Sequence, residues 1–264
     1  MSAEVWRYLD SGPLTGAENM ALDEAMLEAH EAGLVPPTLR VYGWRPPAVS
    51  LGKFQRLEAT VDAAACRVLG ADVVRRPTGG RAILHTAEEV TFSLVVSAAR
   101  LGTTGVMDSY RQLAGGIVAA LRSLDLDARL VERSSPAPAA NPMMAPDPAC
   151  FAVKARCDLV VANAKLVGSA QVQRKGFILQ QNSLPLTIRL EDWSRVFLRA
   201  AIAPEAIGLW EAAGREVGYT EMAEALRAGF GEAFGVAFVD STPTPEETAR
   251  WRAIAPGVLL NPAE

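Results

Sequence analysis

The chain has 264 residues, which at about 150 per domain makes one large domain or two small ones and allows a substantial core. Half of the residues are hydrophobic, 21% are charged and the net charge is −4, a balance that excludes a disordered chain and the general electrostatic footprint of a nucleic-acid binder. There is no run of about 18 apolar residues and no basic-then-apolar leader after Met1, so neither a membrane span nor a secretory signal is expected.

In chain order, the pattern predicts a strand over 5–10, broken at Ser11-Gly12-Pro13, and a helix over 18–32 with Gly33 as its stop. Strands over 38–44 and 48–53 follow, joined by the Arg45-Pro46-Pro47 turn. A helix over 58–69 closes at Gly70, and a strand over 72–76 runs into Pro77-Thr78-Gly79-Gly80. The segment 90–96, rich in β-branched residues, predicts another strand. Tyr110, Leu113, Ile117, Val118 and Leu121 share one face of a helix over 107–124.

Five prolines interleaved with alanines mark 134–148 as a loop, either a linker or a mobile cover over a site. Strands over 158–162, 165–171 and 177–184 form a meander, with turns at Asn163-Ala164 and Lys175-Gly176. Helices over 192–200 and 220–234, a strand over 236–240 and a last helix announced by the Thr244-Pro245-Glu246-Glu247 capping box complete the series. Clustered strands followed by helices predict an α+β fold with a mixed or antiparallel sheet. Without GxGxxG or GxxxxGK[ST], no conventional phosphate loop is expected.

Cys66, Cys150 and Cys157 are too few and too scattered for a disulfide framework, which suits a reducing cytosol. Two histidines, His30 and His85, cannot assemble a His-rich metal site, and none is expected. Of 26 basic residues 22 are Arg, and only Lys53, Lys154, Lys165 and Lys175 are Lys. Arg serves where a fixed charge suffices, whereas an amine that must shift its pKa or transfer a proton has to be Lys.

Two places carry candidate chemistry. The run Arg75-Arg76-Pro77-Thr78-Gly79-Gly80-Arg81-Ala82-Ile83-Leu84-His85 leaves a strand with three arginines and two glycines. Adjacent strand residues point to opposite faces, so one of Arg75 and Arg76 is expected to anchor structure, while the glycines let backbone approach a ligand. His85 is either a donor to a ligand carbonyl or a satisfier of local backbone. Cys150 follows the proline-rich loop and Lys165 opens the next hairpin strand. An ammonium packed beside Cys150 would favour the nucleophilic thiolate, whereas Cys66, on its helix face, reads as a small buried hydrophobe.

The 75–85 run, followed by Glu89-Val90-Thr91-Phe92-Ser93, resembles the RRxTGGRAxLH…ELTYS signature of the lipoate–protein ligase and octanoyltransferase family, within the biotin/lipoate ligase superfamily. Trp6-Arg7-Tyr8-Leu9-Asp10-Ser11-Gly12 and Asn19-Met20-Ala21-Leu22-Asp23-Glu24-Ala25 are similar to its amino terminus. Lys165-Leu166-Val167-Gly168-Ser169-Ala170-Gln171 is similar to its KxxGSAQ strand, and Gly176-Phe177-Ile178-Leu179-Gln180-Gln181-Asn182-Ser183 to the segment after it.

The resemblance implies an α+β biotin/lipoate ligase catalytic domain over 1–264, with a mixed, mainly antiparallel sheet flanked by helices and a mostly helical part beyond about 190. Cys150-Phe151 ahead of the KxxGSAQ lysine is the arrangement of the family's cysteine-dependent transferases. It implies that Cys150 takes octanoyl from an acyl carrier protein thioester and that Lys165 activates the thiol. A lysine of a lipoyl domain, in the glycine cleavage H protein or a 2-oxoacid dehydrogenase E2, then accepts the group. Arg75, Arg76, Thr78, Gly79, Gly80, Arg81 and His85, with Gly168, Ser169, Ala170 and Gln171, would form the substrate pocket. No cofactor, nucleic acid or membrane is implied, and the location is cytoplasmic. The rivals are an ATP-dependent ligase, which would not need Cys150, an amidotransferase between lipoyl domains using the same dyad, and an idle lipoyl-domain-binding module. Biotin ligase is disfavoured, since GRGRxGR is absent.

Overall fold

The computed structural model describes residues 3–131, 150–152, 158–198 and 206–260. The proline-rich stretch 134–148 and Cys157, both singled out above, lie outside the described residues. Strand β1 (Glu4–Leu14) does not stop at Ser11-Gly12-Pro13 as expected. Gly12 takes a φ of +60°, and a register shift between Asp10 and Gly12 absorbs one residue as a bulge, so the strand continues. Helix α1 (Gly16–Glu31) starts two residues earlier than predicted, because Thr15 and Glu18 form a reciprocal capping box.

Strands β2 (Thr38–Trp44) and β3 (Ala48–Leu51) belong to different sheets, and the Arg45-Pro46-Pro47 turn passes the chain between them. The helix expected over 58–69 is shorter: residues 57–59 make a 3-10 turn, Val61 bridges to Phe197, and only Ala63–Leu69 forms α2. Its start is set by Asp62, whose side chain accepts from the amides of Ala64 and Ala65. Strands β4 (Asp72–Arg75) and β5 (Ile83–His85) flank β3 in a small sheet of order β4-β3-β5.

Strand β6 (Glu89–Ser97) is buried on both faces over nearly its whole length, as suits a strand whose apolar residues do not alternate with exposed polar ones. The short helix α3 (Ala98–Leu101) was not expected; helix α4 (Val106–Arg122) was. Strands β7 (Ala128–Leu130), β8 (Leu159–Val161), β9 (Ala164–Arg174) and β10 (Phe177–Pro185) follow. The β8–β9 and β9–β10 connections are two-residue turns with left-handed backbone at Ala162 and Asn163 and at Lys175 and Gly176. The first turn therefore lies one residue earlier than Asn163-Ala164, since Ala164 already pairs with Val161.

The last part contains α5 (Leu190–Val196), α6 (Leu209–Ala213), α7 (Tyr219–Phe234), β11 (Val236–Asp240) and α8 (Pro245–Val258). Strand β11 pairs parallel with β1, completing a large sheet of order β11-β1-β2-β6-β10-β9-β8-β7. Its pairs from β2 onward are antiparallel, so the sheet is mixed and mainly antiparallel, as expected. Helix α8, started by the Thr244/Glu247 capping box, is tied to β1 by a buried Arg7–Glu247 ion pair of 2.9 Å.

The principal core fills the space between the large sheet and helices α4 and α7, around Trp6, Phe92, Ile117, Leu226 and Phe230. A second cluster joins the small sheet, through Val49, Leu51, Ile83 and Leu84, to Phe151, Trp193 and Phe197. No helix of the described residues is long and apolar enough to cross a membrane.

Candidate active site

The second apolar cluster fixes Cys150. Its neighbour Phe151 is buried, with its ring edge-on to Trp193 at a centroid separation of 5.6 Å, and the Cys150 amide donates to the Ala82 carbonyl at 2.9 Å. The β8–β9 hairpin brings up Lys165, which is only 3% exposed. Its Nζ lies 3.6 Å from Cys150 Sγ, donates to the Cys150 carbonyl at 3.1 Å and pairs with Asp158 Oδ2 at 2.8 Å. An ammonium has three N–H donors, and these three partners match that number.

Burial alone would pull the Lys165 amine down. The charges of Cys150 and Asp158 outweigh it, so the ammonium is held above its usual range. Cys66 contrasts with Cys150: desolvation pushes its thiol up to about 11, and it is fully buried.

Gly168 explains itself at this point. A Cβ there would lie 3.2 Å from the Phe151 ring and 3.4 Å from Cys150 Sγ, so the absence of a side chain makes room for the thiol. Gly168 and Ala170 line a mainly apolar cavity with Met20, Tyr42, Trp44 and Ile83. Its empty space, mouth included, is ≈ 290 Å³.

The loop after β4 is wrapped around Arg76. This guanidinium is 4% exposed and donates to the carbonyls of Ser50, Gly79 and Arg81 and to the hydroxyls of Ser50 and Thr78. Burial pulls it down to about 10, so it stays charged near neutral pH, and among the described residues no carboxylate neutralises it. Thr78 in turn donates to Gln181, which donates to Asp23. Gly80 has a φ of +88°, and its carbonyl comes so close to Gly52 that a Cβ there would clash at 2.0 Å. Two glycines therefore let this loop close over the small sheet.

His85 forms no bond to local backbone. Its Nε2 meets Ser50 Oγ at 2.8 Å, its Nδ1 meets Glu89 Oε1 at 2.9 Å, and its ring stacks on Trp44 at 3.9 Å. With Thr91 bridging Glu89 and Trp44, a fully bonded polar network backs the cavity.

The residues singled out in the sequence thus divide. Cys150, Lys165, Arg76, Thr78, Gly79, Gly80, His85, Gly168 and Ala170 converge on the cavity and its rim. Three expected pocket residues require correction. Arg75 points to the opposite face of β4 from Arg76, and its Nη1 holds the carbonyls of Gly52, Lys53 and Gln55, so it anchors a loop. Ser169 and Gln171 alternate with Gly168 and Ala170 on β9, so their side chains turn away from the cavity and bond Asn182 and Gln180 instead. Arg81 is half-buried and contributes its carbonyl to Arg76. Sequence reasoning gave no role to Asp158 or Ser50, and it quoted Glu89, Gln181 and Ser183 only within the resembling runs. Asp158 had an available signal, as an acid seven residues before Lys165 across a hairpin turn.

Comparison with known proteins places the whole chain. The sequence profile of the lipoyl protein ligase A/B catalytic domain matches residues 15–231. A relative from Kyrpidia tusciae named octanoyltransferase LipM is 41% identical over 256 residues, covering 92% of each chain. One of the same name from Symbiobacterium thermophilum is 40% identical, covering 92% of this chain and 91% of its own. Among solved structures, lipoate-protein ligase A bound with ATP superposes with a TM-score of 0.78 at 25% identity, over 97% of this chain and 95% of that one. A T. acidophilum protein with bound lipoic acid gives 0.75 at 25% identity, over 97% and 96%. A profile match over most of the chain and relatives this similar along nearly their whole length establish that the chain belongs to the lipoyl protein ligase A/B catalytic-domain family.

Proposed function

We propose that this protein is an octanoyltransferase of lipoate biosynthesis that works through an acyl thioester on Cys150. The donor is an octanoyl acyl carrier protein, and the acceptor is a lysine of a lipoyl domain, in the glycine cleavage H protein or a 2-oxoacid dehydrogenase E2. The observation that carries this reading is the 3.6 Å approach of Cys150 Sγ to a buried Lys165 ammonium beside an apolar cavity. The near-full-length octanoyltransferase relatives support the same activity.

Exchange between two thioesters is nearly thermoneutral and aminolysis of a thioester is downhill, so the reaction needs no ATP. Covalent catalysis divides it into two feasible steps. The seven carbons beyond the carbonyl, at roughly 0.8 kcal/mol each, give about 5–6 kcal/mol of apolar burial with which to hold the chain.

In the first step the Cys150 thiolate adds to the thioester carbonyl carbon and the donor thiolate leaves, taking a proton from Lys165. The Cys150 charge is then gone, and with it the largest of the influences that favour the Lys165 ammonium. In the second step the acceptor lysine, arriving as a free amine, adds to the acyl carbon and passes a proton to the Lys165 amine. The amide forms, and the Cys150 thiolate leaves beside a restored ammonium. A free cysteine nucleophile suits the reducing cytoplasm.

The test is transfer from octanoyl carrier protein to a lipoyl domain without ATP, followed by mass spectrometry of the domain. Octanoylation by the parent chain and none by Cys150→Ala is expected. Modification only with ATP and free octanoate, or undiminished transfer by Cys150→Ala, would overturn the reading in favour of a ligase.

A further inference from the structure

The polar side chains lining the cavity are bonded within the protein, with one exception. Tyr42 donates to Asp23, Trp44 to Thr91, and Thr91 to Glu89. Ser50 meets His85 and Arg76; Gln181 meets Thr78 and Asp23; Asn182 meets Ser169 and the Phe92 carbonyl. Ser183 is the exception. It is 3% exposed and lines the cavity, yet its Oγ has no hydrogen-bond partner among the described residues. A buried hydroxyl left unpaired is costly, and a wall so fully satisfied elsewhere makes the lone donor informative.

Its position says what it could meet. In the β9–β10 pairing Ser183 stands directly opposite Gly168, on the same face of the sheet. The Cβ position of Gly168 is 3.4 Å from Cys150 Sγ. Opposite Cβ positions on paired strands are about 4.5–5.5 Å apart, so Ser183 and the Cys150 thiol both border the place left by the missing Gly168 side chain, together with the Phe151 ring 3.2 Å from it. An acyl carbonyl on Sγ that turned its oxygen toward Ser183 would offer the unpaired hydroxyl an acceptor, at the usual separation of about 2.7 Å.

We propose that Ser183 is a catalytic residue that donates to the carbonyl oxygen of the acyl group and holds the oxyanion formed in both steps. The inference rests on the reading that Cys150 is acylated. When the thiolate adds, the carbonyl π pair moves onto oxygen, where the Ser183 hydroxyl stabilises it; when the donor thiolate leaves, that pair re-forms the C=O bond and Ser183 keeps its proton. Aminolysis of the acyl-cysteine passes through the same oxygen. A donor aimed where charge develops accelerates addition to a carbonyl but has no role in displacement at a saturated carbon.

That asymmetry supplies the test. Ser183→Ala, in the full chain, is assayed for octanoyl-Cys150 formation from octanoyl carrier protein, for transfer from preformed octanoyl-Cys150 to a lipoyl domain, and for Cys150 alkylation by iodoacetamide. Both acyl steps should slow roughly a hundredfold, the usual consequence of losing one oxyanion donor, while alkylation keeps the parent rate. Acyl steps at the parent rate would overturn the proposal. So would a parallel fall in alkylation, which would make Ser183 a residue that shapes the thiol site. If the parent chain forms no acyl adduct, it is the Cys150 reading that fails, and the parent control shows this separately.

Discussion

The β9–β10 hairpin has two unlike faces. On the face turned toward α4, Gln173 donates to Ser109 and Gln171, Gln171 to Gln180, Gln180 to Asn182, and Ser169 to Asn182, so amides and hydroxyls form one connected chain. On the other face Gly168 and Ala170 are small, Gln181 is fixed by Thr78 and Asp23, and the Ser183 hydroxyl has no partner among the described residues. One face is a satisfied polar scaffold; the other is lined by small residues where it approaches Cys150. A contiguous motif in a strand is therefore not a contiguous surface, and the family's GSAQ run serves two different tasks.

The largest effects should come from the cavity face and the dyad at its edge. Lys165→Ala should abolish transfer, and Lys165→Arg should do so nearly as fully, because Arg cannot accept the proton of the second step. Iodoacetamide alkylation separates the two variants: it should slow in Lys165→Ala and persist in Lys165→Arg. Substantial transfer by the Arg variant would reduce the role of Lys165 to charge alone.

Gly168→Ala sharpens the comparison with a single methyl group. The new Cβ meets the Phe151 ring and Cys150 Sγ at 3.2 and 3.4 Å, and overpacking of this kind typically costs about 1–3 kcal/mol. Acylation should fall by about tenfold or more, with only a modest drop in melting temperature. Unchanged acylation would mean that the thiol does not work from this position.

A smaller, directional effect belongs to Asp158→Asn. The Asp158 charge helps to hold the Lys165 ammonium above its usual range, so removing it lets burial draw the amine down. The alkaline limb of the acylation–pH profile should move to lower pH. A shift to higher pH, or none, would contradict this role. The smallest effect on chemistry should come from the scaffold face: Gln171→Ala should lose about 1 kcal/mol in denaturant unfolding, as one hydrogen-bonded group does, while transfer stays near the parent rate.

What the sequence made legible follows the range of the interactions involved. The 158–184 meander was readable because its turns and alternating strands are local, and the Thr244 capping box marked the start of α8 for the same reason. The continuation of β1 was not, because Ser11-Gly12-Pro13 reads as a break unless the partner strand that tolerates a bulge is known. Strand β7, with three residues, is too short to carry a period. In the site, alternation already required Arg75 and Arg76 to separate, but only the fold shows that Arg76 is the one buried at the cavity. The scarcity of lysine drew attention to four residues, and the resemblance to the KxxGSAQ strand selected Lys165 among them. Ser50 gave no signal, and Glu89, Gln181 and Ser183 stood in the resembling runs without a role, because their meaning depends on which face each strand presents.

The most direct test of the central claim is peptide mapping after brief incubation of the chain with octanoyl carrier protein in the absence of ATP. A hydroxylamine-labile octanoyl group on Cys150 is predicted. Cys66 should remain unmodified, since it is buried and its thiol persists up to about 11. An adduct on Cys66 or Cys157, or octanoyl transfer to a lipoyl domain with no adduct on Cys150, would contradict the account.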